Sequence, residues 1–411
     1  MTAEVLLYII IGIVVFDFIS DKVLDYLNLK SNKNVIPDAM KGYYDEEKYQ
    51  KSQDYQRANT RFSFISSSFS FLIAMAMLWL GGFGFLDEVI REHFQNETVV
   101  SLVYFGVLFV ASDIMAIPFS LYGTFVIEEK FGFNKTTPKT FILDKLKGYL
   151  LTIIIGGGII LLLLWLVQKM GVNFWWYFWI AISMFILFTN MFYTSLILPL
   201  FNKLTPLENG ELKQAIEDYS KKINFPLDNI FVIDGSKRSN KANAFFSGIG
   251  KKKKIVLYDT LINNHTTEEL VAVLAHEVGH FKKKHVISGL ILSVLQIGIT
   301  LFILSLVIFN EQMSLALGSQ QLSVHVNLIA FTILYSPISN ITGILLNIMS
   351  RKNEFEADAY AVQTYSGEKL QIALKKLSVD NLSNLYPHPA YVFMHYSHPP
   401  LLKRLEAMEK S

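Results

Sequence analysis

The sequence predicts a mainly α-helical membrane protein with seven spans and a smaller polar portion gathered on one side of the bilayer. Three observations lead there. Of the 411 residues, 52% are hydrophobic and 14% aromatic, and the mean hydropathy is +0.35, too apolar for an ordinary soluble protein. Apolar runs long enough to cross a bilayer, about 17–25 residues, recur at 4–20, 62–86, 101–127, 149–168, 174–200, 286–309 and 326–349. Of the 37 Lys and Arg residues, all but Arg91 and Lys169 fall in the connections after spans 1, 3 and 5 or in the C-terminal tail.

Basic connections stay in the cytosol, so this alternation puts the N-terminus outside or in a lumen and both large polar segments in the cytosol. Span 1 is not a cleavable signal. No basic residue precedes it, no small-residue cleavage site follows it, and it contains Asp17. Residues 1–200 therefore hold spans 1–5 with their loops. Residues 201–285 form a cytosolic segment, 286–349 hold spans 6 and 7, and 350–411 form a cytosolic C-terminal segment. Within 225–262, the runs "NIFVID", "NAFFSGI" and "KIVLYDTLI" read as strands, the last two joined as a hairpin with Lys251–Lys254 near its turn. Asp113, Asn190, Gln296, Asn340 and Asn347 lie inside spans, where polar groups either line a wet interior or tie helices together. There is no cysteine, which excludes disulfides, thiol nucleophiles and thiolate metal sites. The net charge of +2 gives no reason to expect a nucleic-acid partner.

The chemistry begins at His276-Glu277-Val278-Gly279-His280. On a helix, positions i and i+4 share a face, so both imidazoles reach one ion. Glu277 is about 100° further round and reaches water rather than the metal. Zn2+, one per chain, acidifies that water, and Glu277 takes its proton as general base. Thr266-Thr267-Glu268-Glu269 supplies the helix start, and Leu270, Val271, Val273, Leu274 and Val278 supply an apolar face.

Zinc needs a third protein ligand, and its identity sets the class. A third histidine at metzincin spacing would fall on Val286, and His285 misses by one residue. Membrane-embedded site-2 proteases use an aspartate in a later span, and span 7 has none. The remaining acidic cluster is Glu354, Glu356 and Asp358. Glu354 and Asp358, four apart, share a helix face, while Glu356 points elsewhere. The pattern is either a solvated acidic helix face or, as expected here beside HExxH, Glu354 as third ligand with Asp358 holding a ligand histidine from behind. Spans 6 and 7 form a hairpin whose cytosolic ends carry the two motifs, so closing it brings them together.

These motifs, with "PFSLYGTFVIEEKFGFNKTT" at 118–137, "LPLFNKLTPL" at 198–207, "NAFFSG" at 243–248, "SRKNEFEADAYA" at 350–361 and "HYSHPPLLKRLEA" at 395–407, make the chain resemble the integral-membrane zinc metalloproteases of the CAAX prenyl protease 1 family. The resemblance covers essentially the whole chain, and the compact length points to a bacterial member. It implies seven transmembrane helices enclosing a chamber, a small cytosolic α/β zinc-protease portion, and cleavage of peptides near a prenylated C-terminus. It implies a lipid bilayer around the protein and a peptide or protein substrate, prenylated in the family. The membrane is the cytoplasmic one in a bacterium and that of the endoplasmic reticulum in a eukaryote. It also implies that the strand at Asn243 and Ala244 pairs with an extended substrate through main-chain hydrogen bonds. The tail element at "SHPPLLKRL" lies over the zinc, where His398 and Arg404 stabilise an oxyanion or brace the ligand glutamate.

Two other classes compete. A quality-control membrane metalloprotease without prenyl specificity would share the zinc motifs, but not the matches at 118–137 and 198–207. A transporter or scaffold would leave HExxH and E-x-x-x-D unexplained, and the halves show none of the internal repetition common in transporters.

Overall fold

In the computed structural model, the structure describes residues 1–225, 230–247 and 254–410. Among these, six helical runs are long and apolar enough to cross a membrane. They are Ala3–Lys30, Glu46–Trp79, Glu97–Glu128, Pro138–Phe201, His285–Val307 and Val324–Thr364. The fourth has 64 residues. As one straight helix it would extend about 96 Å at 1.5 Å per residue, against a hydrocarbon core of about 30 Å. It is broken at Gly171, where φ is +53° in a conformation that glycine adopts freely. Helices Gly157–Met170 and Phe174–Leu196 on either side of this break pack against each other. The fourth run thus has two helical parts at the place where the sequence predicts two spans.

The spans are buried mostly at their ends. No more than 22% of the most apolar window of any run is covered by protein. One hydrophobic cluster sits where His285–Val307 turns into Val324–Thr364 and gathers Ile10, Leu78, Tyr104, Phe174, Ile308 and Val326. Helix Gly82–His93 presses Gly84 against the backbone of Gly318 and Ser319 there, leaving no room for a Cβ. His325, fully buried, meets Asp87 at 2.8 Å and Ser101 at 2.9 Å, so it serves packing.

The polar residues within spans divide between the two expected roles. Asp113 takes a 2.7 Å ion pair from Lys145 and a hydrogen bond from Tyr149, Gln296 donates to Thr342 at 3.2 Å, and Asn340 donates to Asp17 at 3.2 Å. Asn347 donates to the Met394 carbonyl at 2.8 Å and ties the last span to the tail. These four hold elements together. Asn190 donates to the Ile186 carbonyl of its own helix at 2.9 Å and lines a cavity described below.

At the opposite end a second cluster surrounds a mixed four-stranded sheet: β1 (Leu204–Pro206), β2 (Ile230–Ile233), β3 (Ala244–Ser247) and β4 (Lys254–Tyr258). The order is β1-β2-β4-β3, with β2 and β4 parallel and the outer pairs antiparallel. The three expected strands are present, but the third ends at Tyr258, and Asp259–Asn264, expected to continue it, is helical. β1 was not expected from the sequence, and the hairpin turn before Lys254 lies outside the described residues. Helix Thr267–Lys282 fills the centre of the cluster, with Leu270 through Ala275 all buried. Its start is a capping box in which Thr266 and Glu269 exchange hydrogen bonds. The first cluster takes one end of five of the runs and the break of the fourth, so successive chain ends and connections should alternate in side, and reporter tags should do the same. A tag at the N-terminus or after Glu311 should read as outside or lumenal, and one at the C-terminus as cytosolic. A cytosolic signal from 311 would break the seven-span arrangement.

Candidate metal centre and active site

Two helices build the centre. Helix Thr267–Lys282 carries His276 and His280, and the 41-residue helix Val324–Thr364 carries Glu354 and Asp358. They cross where Gly279 meets Ala357. A Cβ on Gly279 would lie 3.0 Å from the Ala357 Cα and from its carbonyl oxygen. Both backbones therefore depend on the absence of a side chain at Gly279, a middle position of HExxH that the sequence reading passed over.

That crossing gathers His276, His280 and Glu354, with one ligand atom of each within 4.8 Å of the others. The two Nε2 atoms lie 3.2 Å apart, and His280 Nε2 lies 3.2 Å from Glu354 Oε1. Zinc–nitrogen bonds of about 2.0–2.1 Å in a tetrahedron set ligand atoms about 3.3 Å apart, so these separations fit the ion. The donor chemistry fits too. His276 Nδ1 lies 2.8 Å from Asp358 Oδ1 and gives its proton there, so Nε2 presents a lone pair. Glu354 Oε2 is buried and makes no hydrogen bond. Lone pairs converging in this way call for a cation.

The expected supporting residues come to the same place. Arg404 forks onto Asp358 with Nε–Oδ2 2.8 Å and Nη2–Oδ1 2.7 Å, and both residues are buried. Its Nη1 lies 3.4 Å from Glu354 Oε2. Of the two roles expected for Arg404, bracing the glutamate is the one its contacts match. His398 approaches Glu354 Oε1 at 3.4 Å from the open side, with 65% of its side chain exposed. Glu356 stays outside the three-ligand group, as expected.

Glu277 is half-buried and lines a cavity of about 630 Å3 with His280, Phe245 and, from the spans, Asn190, Leu346 and Met349. Burial pushes the Glu277 carboxyl upward, against the lowering effect of the imidazoles and Arg404. A carboxyl raised in this way takes up a proton more readily than a free one.

The strand β3 forms the edge of the sheet and packs against the His276 helix. Asn243 precedes the strand and gives its carbonyl to Tyr258 N–H at 3.1 Å. By the alternation of antiparallel pairing, Ala244 then turns its main-chain groups to the free side. Asn243 Oδ1 accepts from the Ala244 N–H at 2.8 Å. A clamp that the sequence reading did not find anchors this edge. Lys241 reaches Glu128 at 2.9 Å and Tyr55 at 2.9 Å, joining the edge to two of the long apolar runs.

Comparison with known proteins follows the same geography. Residues 25–203 match the model of the CAAX prenyl protease N-terminal region, described as five membrane helices, and 206–411 match peptidase family M48. CAAX prenyl protease 1 of Saccharomyces cerevisiae is 33% identical over 98% of this chain and 94% of its own. The Arabidopsis thaliana homologue is 37% identical over 97% and 96%. The crystal structure of S. mikatae Ste24p superposes with a TM-score of 0.92 at 33% identity, covering 98% of this chain and 99% of that one.

Purified protein should carry about one zinc per chain by elemental analysis. Glu354→Ala should lose most of it. Asp358→Ala should weaken zinc by about 10–100-fold, measured by chelator competition. Gly279→Leu should lose zinc without touching a ligand, because the added side chain forces the helices apart. Retention of full zinc by Glu354→Ala would refute the ligand set.

Proposed function

The chain belongs to the M48 peptidases, among the CAAX prenyl proteases 1, and from that premise we propose that it is a zinc-dependent membrane endopeptidase that processes peptides near a prenylated C-terminus. The observation that carries this reading is the convergence of His276, His280 and Glu354 beside Glu277 in one cavity. His276, His280 and Glu354 would hold the zinc, which when bound acidifies a water and polarises the scissile carbonyl.

The chain's own residues account for the rest. An extended substrate pairs with the free side of β3 through Ala244, which binds main chain without selecting side chains. Glu277 removes a proton from the attacking water and returns it to the leaving amine. His398, exposed over the site, donates to the oxyanion as the carbonyl becomes tetrahedral. Asp358 fixes the His276 ring, and Arg404 fixes Asp358 and neutralises charge beside Glu354. The cavity wall runs from Glu277 to Leu346 and Met349 of the last span, so an apolar substituent near the scissile bond finds apolar surface on the membrane side. In this reading the zinc lies on the cytosolic face and the spans enclose a chamber. The host membrane is the cytoplasmic one of a bacterium or the endoplasmic reticulum of a eukaryote.

Glu277→Gln keeps the side chain's size and removes its basicity. Turnover should fall about 10²–10⁴-fold while zinc and substrate remain bound, giving a substrate trap. Near-normal turnover would exclude Glu277 as the base. The substrate class is read by purified protein cleaving a farnesylated CAAX peptide and its unprenylated twin. Preference for the farnesylated peptide is expected. Equal rates would leave a membrane metalloprotease of general, quality-control type.

A further inference from the structure

His285 stands five residues beyond His280. On an unbroken helix the two side chains would lie about 140° apart at 3.6 residues per turn, and the sequence alone leaves His285 without a role. The helix does break. It ends at Lys282, and Lys284 takes φ +61°, ψ +26°, a left-handed conformation unusual for a lysine. A new helix starts at His285 and enters the membrane. The break turns the His285 ring back onto the centre, with only 8% of its side chain exposed. His285 Nδ1 lies 3.1 Å from His280 Nδ1, and His285 Nε2 lies 3.2 Å from Glu356 Oε2.

Two imidazole nitrogens at that distance share one proton. His280 Nε2 faces His276 Nε2 and Glu354, so the proton of a neutral His280 sits on Nδ1 and points at His285. His285 accepts it on Nδ1 and donates from Nε2 to Glu356. We infer that His285 and Glu356 form a positioning arm for His280, the counterpart of the Asp358 arm on His276. Each arm fixes the tautomer and the direction of its ligand ring, which is what a carboxylate behind a metal-binding histidine does. The two arms differ in exposure. Asp358 is 1% exposed and is locked by Arg404, whereas the Glu356 side chain is 38% exposed, with Lys352 3.8 Å away.

This inference rests on the zinc reading, so its test must separate the two. Zinc affinity is measured by chelator competition on full-length protein in detergent, with thermal melting of the metal-free form as a check on folding. His285→Ala should weaken zinc about 10–100-fold and leave the metal-free melt unchanged. Glu356→Ala should weaken it in the same direction. The double variant should be no weaker than His285→Ala, because Glu356 acts through His285. Glu356→Gln, which keeps an acceptor oxygen, should recover most of the affinity. Lys284→Gly should keep it, and Lys284→Val, which resists the left-handed conformation, should not. Wild-type affinity in His285→Ala, or additive losses in the double variant, would overturn the arm. Glu354→Ala run alongside decides the rest. Loss of zinc there with normal affinity in His285→Ala sinks the arm alone, and retained zinc in Glu354→Ala sinks the ligand set and the arm together.

Discussion

Everything in the catalytic end depends on the contact between Gly279 and Ala357. One helix contributes two imidazoles and the other two carboxylates, and only a backbone-to-backbone approach brings four such groups within hydrogen-bonding reach. The approach is possible because the crossing residues are glycine and alanine. Burial follows from it. His276, Glu354 and Asp358 are each less than a tenth exposed, and such groups are costly to bury unless each is partnered. Arg404 supplies the compensating charge from the C-terminal tail. Breaking a buried pair of this kind by removing one partner typically costs about 3–5 kcal/mol. Arg404 therefore couples the closing of the tail over the site to the integrity of the site.

Much of this was legible in the sequence because it follows from helical arithmetic. Residues four apart share a face, so HExxH and E-x-x-x-D each announced a pair before any fold was known. The edge position of β3, the alternation of basic loops and the capping box at Thr266 were legible for similarly local reasons. What escaped was set by backbone geometry that side-chain identity does not report. Lys284 carries no sequence signal for a left-handed residue, so His285 counted as one position out of register. β1 is three residues long with a proline at its end and has no alternation to read; an edge strand tolerates that. Gly279 was visible, but only the approach of Ala357 gives it meaning. Spans 4 and 5 are expected as two from the sequence, and in the structure the break at Gly171, followed by a short 3-10 turn Gly171–Asn173, parts the one long helical run there.

The two helices that build the His-His-Glu site meet the membrane in opposite ways. The helix with Glu354 runs unbroken for 41 residues, about 62 Å at 1.5 Å per residue, roughly twice the hydrocarbon thickness. A continuous rod fixes the depth of Glu354 relative to the bilayer. The helix with His276 and His280 is buried on nearly every side, which a lipid-facing helix could not be. It must part from span 6 to enter the sheet's core, and Lys284 is where it does so. A water-consuming site sits against a membrane helix because one ligand helix is anchored through the bilayer while the other is packed in a water-side core. The break at Lys284 also delivers His285 to the second ligand. The turn that separates membrane from core is thus the turn that orients His280.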